Sequence, residues 1–292
     1  MCLGRLSLSL FFFKAAFAVL DLLTGLLVFL LLKQRGEAPG KVFLYLWNPL
    51  VLVSFSLDGH YDSLVLALLF FSFYLFSLKR MFPSSFFLAL SFLSKFFPVF
   101  LLPFLIQRSK KWAALFVFLG TVLIFSLPFF SGAGPHFFEG LLAYSREWRF
   151  NDSLFWVTAE ACRAFSIHFP FLSFIPLSPP KILIAAFYLV VLAFFLWKKK
   201  DRSFLRVSFW SVGLLLLLSP TFHYWYLSWL TPFLAFFPNP AWLWLTGAIM
   251  LSQEILIDFS RYGQWEEKGW IKILEFFPFY LLLFRDYFKR RG

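Results

Sequence analysis

The sequence has few charged residues for its length. Only 14% of its 292 residues are Asp, Glu, Lys or Arg, whereas a soluble domain carries about 25%. Hydrophobic residues make up 61% of the chain, and the mean hydropathy is +0.77. A soluble core encloses only part of a protein's apolar side chains, so it cannot hide this much apolar surface. The composition therefore excludes an ordinary soluble protein and predicts an integral membrane protein.

Cysteine is nearly absent, and the sequence contains no glycine-rich phosphate-binding loop. Cys2 and Cys162 are too few for a disulfide framework or a cysteine-ligated metal site. The missing loop argues against ATP-driven transport and against a nucleotide-sugar donor held by a Rossmann domain. The sequence identifies no cofactor, and it leaves open whether the protein uses a divalent metal.

Acidic residues are scarce as well, with 15 Asp and Glu against 27 Lys and Arg and a formal net charge of +12. On a soluble protein this excess would suggest nucleic acid as a partner, but here the basic residues stand in short clusters between apolar runs. The clusters are Lys33/Arg35/Lys41, Lys79/Arg80, Arg108/Lys110/Lys111, Lys198/Lys199/Lys200/Arg202 and Lys289/Arg290/Arg291. This pattern is typical of cytoplasmic loops that face anionic lipid headgroups. We therefore expect the lipid bilayer as a partner and no nucleic acid.

Apolar runs recur along the whole chain, and a helix needs about 20 such residues to span a bilayer. The runs predict spans near residues 7–32, 42–57, 61–78, 112–130, 181–197, 204–219, 222–237, 240–257 and 271–288. The predicted fold is an all-α, polytopic transmembrane helical bundle of about nine to eleven membrane segments. Residues 1–292 are expected to form a single transmembrane domain.

Two apolar stretches, 83–106 and 153–180, are interrupted by prolines and charged or polar residues. If every basic cluster is cytoplasmic, 83–106 must enter and leave the membrane on the cytoplasmic side. We predict a re-entrant pair of half-helices that meet around residues 94–98, with 153–180 along the outer face. In the alternative arrangement, both stretches cross the membrane.

The same reasoning puts four loops on the outer side, at residues 57–62, 131–152, 219–226 and 258–269. They contain three of the four histidines and most of the carboxylates outside the apolar runs. We therefore expect any chemistry to occur on the extracytoplasmic side of the plasma (inner) membrane. The mixed charges of 258–269 are more typical of a solvated connector than of a site.

The first of these loops contains Asp58, His60 and Asp62 within five residues. The two aspartates would share one helix face if the helix begins near residue 58. Helix capping by Asp58 is the structural alternative, but it accounts for neither His60 nor Asp62. We assign all three as candidate catalytic residues.

Three cations are candidates for binding a phosphate group. A lysine in an apolar run costs about 2.5–3.5 kcal/mol on insertion scales, so Lys95 is predicted to face a polar cavity near mid-membrane, or else to snorkel. Arg146 and Arg149 are three residues apart and are expected to share a helix face. Their guanidinium groups suit phosphate, although an interfacial amphipathic helix gives the same pattern. His223 and Tyr226 are expected to face an outer cavity together, or to belong to an aromatic belt.

Four segments resemble motifs of the GT-C membrane glycosyltransferases, including bacterial relatives of the GPI mannosyltransferases. Residues 47–62 resemble the family's Asn-Pro … Gly-His-x-Asp segment, and 94–98 its Thr/Ser-Lys-x-x-Pro broken helix. Residues 144–151 resemble its Tyr-x-x-x-Trp-x-Phe-Asn outer loop, and 220–229 its Pro-x-x-His-x-Trp-Tyr span. The four matches keep the family's order from about residue 7 to 230.

The resemblance implies a transferase that moves a hexose, commonly mannose, from a polyprenyl-phosphate donor to an acceptor on the outer face. A carboxylate would act as base on the acceptor hydroxyl, and Lys95, Arg146 and Arg149 would offset the charge of the leaving phosphate. His60 is then a base or hydrogen-bonding candidate. Asn151, His223 and Tyr226 are the expected substrate-binding residues.

One feature departs from the family pattern. Members of the GT-C family usually carry their catalytic acid in a first outer loop that follows a first helix. This chain begins at what looks like their second helix. We therefore expect the first helix and first outer loop to be absent, which leaves open whether the catalytic acid is supplied from elsewhere or replaced by Asp58 or Asp62. The alternative functions are a transporter or flippase for a lipid-linked or polar substrate, and a catalytically inactive truncated homologue.

Overall fold

The computed structural model describes residues 9–109, 112–170, 177–198 and 203–289. Within these ranges the chain is helical with short connections and contains no strand, apart from an isolated parallel bridge between Phe150 and Thr221. The predicted all-α class is confirmed. We number the helices in chain order as α1 Ser9–Gln34, α2 Pro39–Leu46, α3 Pro49–Leu57, α4 Asp62–Ser77, α5 Met81–Ser94, α6 Phe97–Ser109, α7 Ala113–Ala133, α8 Glu139–Glu147, α9 Leu154–Ala164, α10 Pro179–Trp197, α11 Phe204–Leu218, α12 Thr231–Leu234, α13 Pro240–Tyr262 and α14 Gly269–Lys289.

Several of these helices suit a membrane. In the part of the chain that the structure describes, α1, α7, α10 and α13 are each long and apolar enough to cross a bilayer. The pair α2 and α3 is bent by 53° and would form a fifth span. The predicted nine to eleven segments also count the shorter apolar helices α4, α5, α6 and α11.

The bend between α2 and α3 is built by an Asn-Pro pair. The Asn48 side chain caps α3, because its oxygen accepts a hydrogen bond from the Leu50 amide at 3.0 Å. Pro49 occupies the first turn, where its missing N–H costs nothing. The Asn48 amide nitrogen also donates to Thr246 of α13 at 3.2 Å. This motif therefore has a structural role, which is to restart the helix and fix it to α13.

Helices α4 and α5 form an antiparallel pair whose register is set by serines. Ser72 and Ser84 hydrogen-bond across the middle of the pair at 3.1 Å, and Ser91 donates to the Val65 carbonyl at 2.8 Å. Lys95 follows α5 and reaches Asp62, at the far end of α4. Lys95 therefore lies at the end of the helix pair opposite the α4–α5 turn, because α5 runs almost the full length of its partner, and its depth in the membrane stays a prediction.

The chain then returns through α6 to the end at which α5 began. The Ser85 hydroxyl, near the start of α5, donates to the carbonyl of Ala114 at the start of α7 at 2.5 Å. Residues 81–109 thus enter and leave the bundle at one end, as expected of a re-entrant pair. The break lies at Lys95 and Phe96, inside the predicted segment 94–98.

Contacts between helix ends sort the bundle into two ends. At one end Gln34 accepts a hydrogen bond from Ser77, Gln107 donates to the Leu196 carbonyl, and Asn239 donates to Asp286. We call this the basic end, because it holds Lys33, Arg35, Lys79, Arg80, Arg108, Lys198 and Lys289. The other basic residues of the clusters (110–111, 199–202 and 290–291) lie outside the described residues, and Lys41 belongs to the same end through its ion pair with Glu37.

The opposite end, which we call the loop end, gathers residues 57–62, 144–152, 219–226 and 252–275. Tyr224 donates to Asp58, Lys181 at the start of α10 donates to the Ser145 carbonyl, and Asn151 donates to Glu275. These segments overlap the four loops at 57–62, 131–152, 219–226 and 258–269, whose place on the outer side of the membrane stays a prediction. The core lies between the ends among α3, α4, α11, α12 and α13, while α7 and α10 are mostly exposed and lie at the periphery.

One predicted segment differs from the structure, and another is described only in part. The span at 222–237 is not one helix, because a 3-10 turn over Tyr224–Trp229 is followed by the short α12. Pro232 has no N–H with which to continue a helical hydrogen-bond ladder across this junction. In 153–180, α9 ends at Ala164, and residues 171–176 lie outside the described residues.

Candidate functional site

Residues from four separate segments meet at the loop end. They come from the turn 58–61 with the start of α4, the break between α5 and α6, the segment 144–152 after α7, and the segment 219–229 after α11. These are the segments that carry the sequence-predicted site residues. The structure brings most of those residues together. It places Asp58 and Asp62 in different surroundings, and it separates Arg149 from the helix that carries Arg146.

The turn before α4 keeps its two aspartates apart. Gly59 has a φ of +71°, a left-handed conformation that glycine adopts without strain, and α4 begins only at Asp62. Asp58 is exposed and accepts a hydrogen bond from the Tyr224 hydroxyl, whereas Asp62 is completely buried. The expectation that both aspartates share one helix face is therefore wrong.

Asp62 forms a buried ion pair with Lys95. The Lys95 ammonium lies 2.7 Å from Asp62 Oδ1, and the Trp229 indole N–H donates to the same oxygen at 2.5 Å. Asp62 Oδ2 is buried and has no hydrogen-bond partner among the described residues. Lys95 Nζ also lies 4.5 Å from the centre of the Tyr226 ring, a cation–π distance. Since a buried charge is costly unless it is paired, this pair fixes the α5–α6 break against α4.

Four rings stack one upon another beside this pair, and we call them the ring stack. His60 lies on Trp225 with ring centres 4.3 Å apart, and Trp225 lies on His223 at the same distance. His223 in turn stacks on Phe150 at 4.8 Å. The ring stack thus joins the turn 58–61 to the segment 144–152 through the segment 219–229.

Both histidines of the ring stack are held in the neutral form. Burial lowers the pKa of His223 to about 4, and the charge of Lys95 acts in the same direction. Burial also lowers the pKa of His60, against the smaller opposing effect of Asp62 and Asp58. Near neutral pH these rings therefore offer hydrogen-bonding or stacking surfaces and carry no charge.

A tyrosine pair closes the other side of the site. The hydroxyls of Tyr226 and Tyr144 lie 2.7 Å apart, and the Tyr226 ring stacks on Trp229 at 4.6 Å. Tyr144 stacks on the half-exposed Trp148 at 5.5 Å. His223 and Tyr226 do lie together, as their spacing predicted, with ring centres 5.4 Å apart.

Arg146 and Arg149 do not share a helix face. Helix α8 ends at Glu147, and Trp148 has an extended backbone that turns Arg149 away from the helix axis. Arg149 donates to Asp152 at 2.8 Å with 43% of its side chain exposed, and Arg146 is exposed. Lys181 donates to the Arg146 backbone carbonyl at 2.8 Å, so a third cation lies against the end of α8.

The Asn151 side chain is engaged by α14. It is buried, its backbone has a φ of +48°, and its amide nitrogen donates to Glu275 at 2.7 Å. Its role as a substrate-binding residue stays a prediction, and its observed contact is with another part of the protein.

An apolar cavity of about 500 Å³ lies next to the site, between α6, α10 and α11. Phe100, Tyr188 and Leu215 line its body, while Tyr144, Trp148 and Lys181 line it at the loop end. Thr221 also borders it, and the Thr221 hydroxyl is buried without a hydrogen-bond partner among the described residues. The cavity therefore combines an apolar body with a cation at one end.

The structure adds residues that the sequence reasoning did not single out, namely Trp229, Tyr224, Lys181 and Glu275. Glu275 is a fully buried carboxylate in an apolar run, which is the same signal that identified Lys95. Trp229 and Tyr224 had no such signal, because aromatic residues are frequent throughout the chain. Among residues 9–109, 112–170, 177–198 and 203–289, no three His, Cys, Asp or Glu side chains come close enough to hold a metal ion.

Comparisons with known proteins agree with this architecture. Neither the curated proteins nor the solved structures yielded a match. The family model described as Glycosyltransferase family 87 matches residues 3–220. That range includes Asp58, Asp62, Lys95 and the segment 144–152, so both the matched range and the helical membrane fold identify the chain as a member of glycosyltransferase family 87, a GT-C-type family of membrane glycosyltransferases.

Proposed function

We propose that this glycosyltransferase moves a hexose, with mannose as the proposed sugar, from a polyprenyl-phosphate donor to an acceptor at the loop end. The observation that carries the proposal is the apolar cavity that ends at Lys181 beside the site. An isoprenoid chain suits its apolar body, and a phosphate suits its cationic end.

Three cations are the proposed binding partners of the donor phosphate. Lys181 borders the cavity, and Arg149 is close enough for its charge to act on Lys181. The Arg146 side chain is exposed, and its backbone carbonyl accepts a hydrogen bond from Lys181. In the proposed reaction they offset the charge that develops on the phosphate when the bond from the anomeric carbon to the phosphate oxygen breaks. Lys95 is engaged by Asp62 and is assigned a holding role.

Asp58 is the proposed base. It is the exposed carboxylate of the turn, and Tyr224 fixes one of its oxygens by a hydrogen bond. Its other oxygen takes the proton of the acceptor hydroxyl while that hydroxyl oxygen bonds to the anomeric carbon. Asp62 is completely buried, so we assign it to holding Lys95, and His60 and His223 to the wall that contacts the sugar.

The proposed side of action is extracytoplasmic. Lys and Arg accumulate on cytoplasmic loops, and the described basic residues of the clusters gather at the end opposite the site. A donor carried by the membrane also fits a chain in which the sequence offers no nucleotide cradle.

The test is sugar transfer by the purified protein in liposomes. Polyprenyl-phosphate mannose, polyprenyl-phosphate glucose and GDP-mannose are supplied separately, with a membrane lipid extract as acceptor. We expect transfer from polyprenyl-phosphate mannose, and a loss of about 10²-fold or more in Asp58→Asn, the usual size of a general-base effect. Glu160→Gln, which changes a half-buried carboxylate paired with the exposed Arg163, is the control and should keep full activity. Transfer from GDP-mannose alone would overturn the donor class, transfer from the glucose donor alone would overturn the sugar, and full activity in Asp58→Asn would overturn the assigned base.

A further inference from the structure

Helix α14 carries a carboxylate whose two oxygens are both used. Glu275 is 0% exposed, its Oε2 accepts from the Asn151 side-chain amide at 2.7 Å, and its Oε1 accepts from the Ser252 backbone amide at 2.8 Å. Helix α14 lies beyond residues 3–220, the range that the family model matches. Glu275 therefore joins the C-terminal helices to a segment that belongs to the site.

The segment held in this way is short and firmly fixed. The Asn151 backbone amide donates to Glu267 at 2.7 Å, and Asp152 is buried between Arg149 and Lys272. Asn151 adopts a left-handed backbone conformation, which asparagine and aspartate tolerate better than most residues.

The other side of the segment presses on the ring stack. The Phe150 amide donates to the Pro220 carbonyl at 3.0 Å, and the Phe150 carbonyl accepts from the Phe222 amide at 2.8 Å. The Phe150 ring then forms one end of the ring stack, against His223. A continuous line of contacts therefore runs from Glu275 through Asn151 and Phe150 to the site.

We propose that Glu275 is a positioning residue for sugar transfer, acting through Asn151 to hold Phe150 against His223 and to set Arg149 beside the cavity. This inference rests on the proposed function. A misplacement of about 1 Å in a positioned group costs on the order of a hundredfold in rate, so loosening the segment slows the chemical step more than it weakens donor binding.

The hydrogen bond between Asn151 and Glu275 can be rebuilt with the donor and the acceptor exchanged, which gives a direct test. In Glu275→Gln, an amide group faces both the Asn151 amide and the Ser252 N–H, so one donor loses its acceptor. In Asn151→Asp, two carboxylates face each other. In the double variant Asn151→Asp/Glu275→Gln, the Gln nitrogen donates to the Asp carboxylate while the Gln oxygen still accepts from Ser252.

We expect each single variant to lower kcat by roughly tenfold to a hundredfold with little change in the KM for the lipid donor. The double variant should recover to within about threefold of the wild type, because two groups in direct contact are strongly coupled. Ser153→Ala is the matched control, since Ser153 hydrogen-bonds Tyr280 of α14 and is not among the residues that link Glu275 to Phe150, and its kcat should stay unchanged.

A stability measurement separates this inference from the proposed function. The Tm values of the wild type, both single variants and the double variant in detergent should be non-additive even if no sugar transfer is found. If the Tm values are non-additive but no sugar is transferred, the contact between Glu275 and Asn151 is supported and the proposed function is overturned. With transfer present, unchanged kcat in Glu275→Gln, or a double variant that recovers its Tm but not its kcat, would overturn the positioning role.

Discussion

The histidines of the ring stack owe their neutral state to what surrounds them. His223 lies between Trp225 and Phe150, with the charge of Lys95 close by. An imidazolium ion in this position would lose its hydration and meet a like charge. Protonation therefore opposes the folded packing of the loop end.

This state gives the protein a stability that depends on pH. The pKa of His223 is about 4 in the folded protein and about 6.5 in an unfolded chain. Between these values the unfolded chain binds a proton that the folded protein does not, so His223 lowers the stability as the pH falls from 6.5 towards 4. The loss reaches about 3 kcal/mol near pH 4 and is absent above pH 6.5.

The measurement is the Tm in detergent across this pH range. In His223→Gln the Tm should fall less steeply between pH 6.5 and 4 than in the wild type. His136→Gln is the control, because that side chain is 74% exposed. A variant with the same pH slope as the wild type would contradict the prediction.

At this scale the sequence predicted which residues would lie together better than it predicted their individual partners. Asp58, His60, Lys95 and His223 lie together at the loop end, and the sequence singled out each of them as a polar residue beside or within an apolar run. Their partners were not predictable, because these depend on backbone details such as the left-handed Gly59, which delays the start of α4. The end of α8 before Arg149 is a detail of the same kind.

Among the helices, the pair α4 and α5 depends on a single ion pair at its loop end. Asp62 is completely buried and Lys95 is 16% exposed. Removing one partner of a buried pair leaves an uncompensated charge, which typically costs about 3–5 kcal/mol. Replacing both removes the charge together with its partner and costs less.

We therefore predict that Asp62→Asn and Lys95→Met each lower the stability by about 3 kcal/mol. The double variant Asp62→Asn/Lys95→Met should be clearly more stable than the sum of the single effects predicts. Thermal unfolding in detergent measures this cycle, and Arg163→Met, which breaks an exposed pair with Glu160, should change the Tm little. Strictly additive effects would count against the ion pair.

The positions of the helices could be predicted from the apolar runs, whereas the breaks in the helices could be predicted only in part. The break at Lys95 was predicted because a charge and a proline interrupt an apolar run. The 53° bend at Asn48 was not, since residues 42–57 read as one apolar run. The division of 222–237 into a 3-10 turn and α12 was also missed, because a single Pro232 is compatible with a kinked helix as well as with a broken one.

For the whole molecule, the orientation in the membrane is the main consequence of the charge distribution. If the basic end is cytoplasmic, Glu139 faces the outside of the cell and Ala38 the inside. Both residues are exposed. The orientation stays a prediction, and it could be made from the sequence because the positive-inside rule depends on the count of basic residues and not on packing.

Single cysteines at these two positions test the orientation in a background without the native cysteines. We expect a membrane-impermeant maleimide to label Glu139→Cys on intact cells, and Ala38→Cys only after lysis. The reverse pattern would invert the orientation and move the proposed reaction to the cytoplasm.

The short helices α4 and α5 also bear on how substrates arrive. The 16 residues of α4 rise about 24 Å, less than the roughly 30 Å of a hydrocarbon core, while α1 and α7 at 26 and 21 residues are longer. If Lys79 and Arg80 lie at one headgroup layer, α4 is too short for Asp62 to reach the headgroups on the opposite side. The bilayer must then become thinner around Asp62 or leave a depression there. A substrate that travels laterally within the leaflet reaches such a depression by two-dimensional diffusion, whereas a water-soluble one must first leave the aqueous phase.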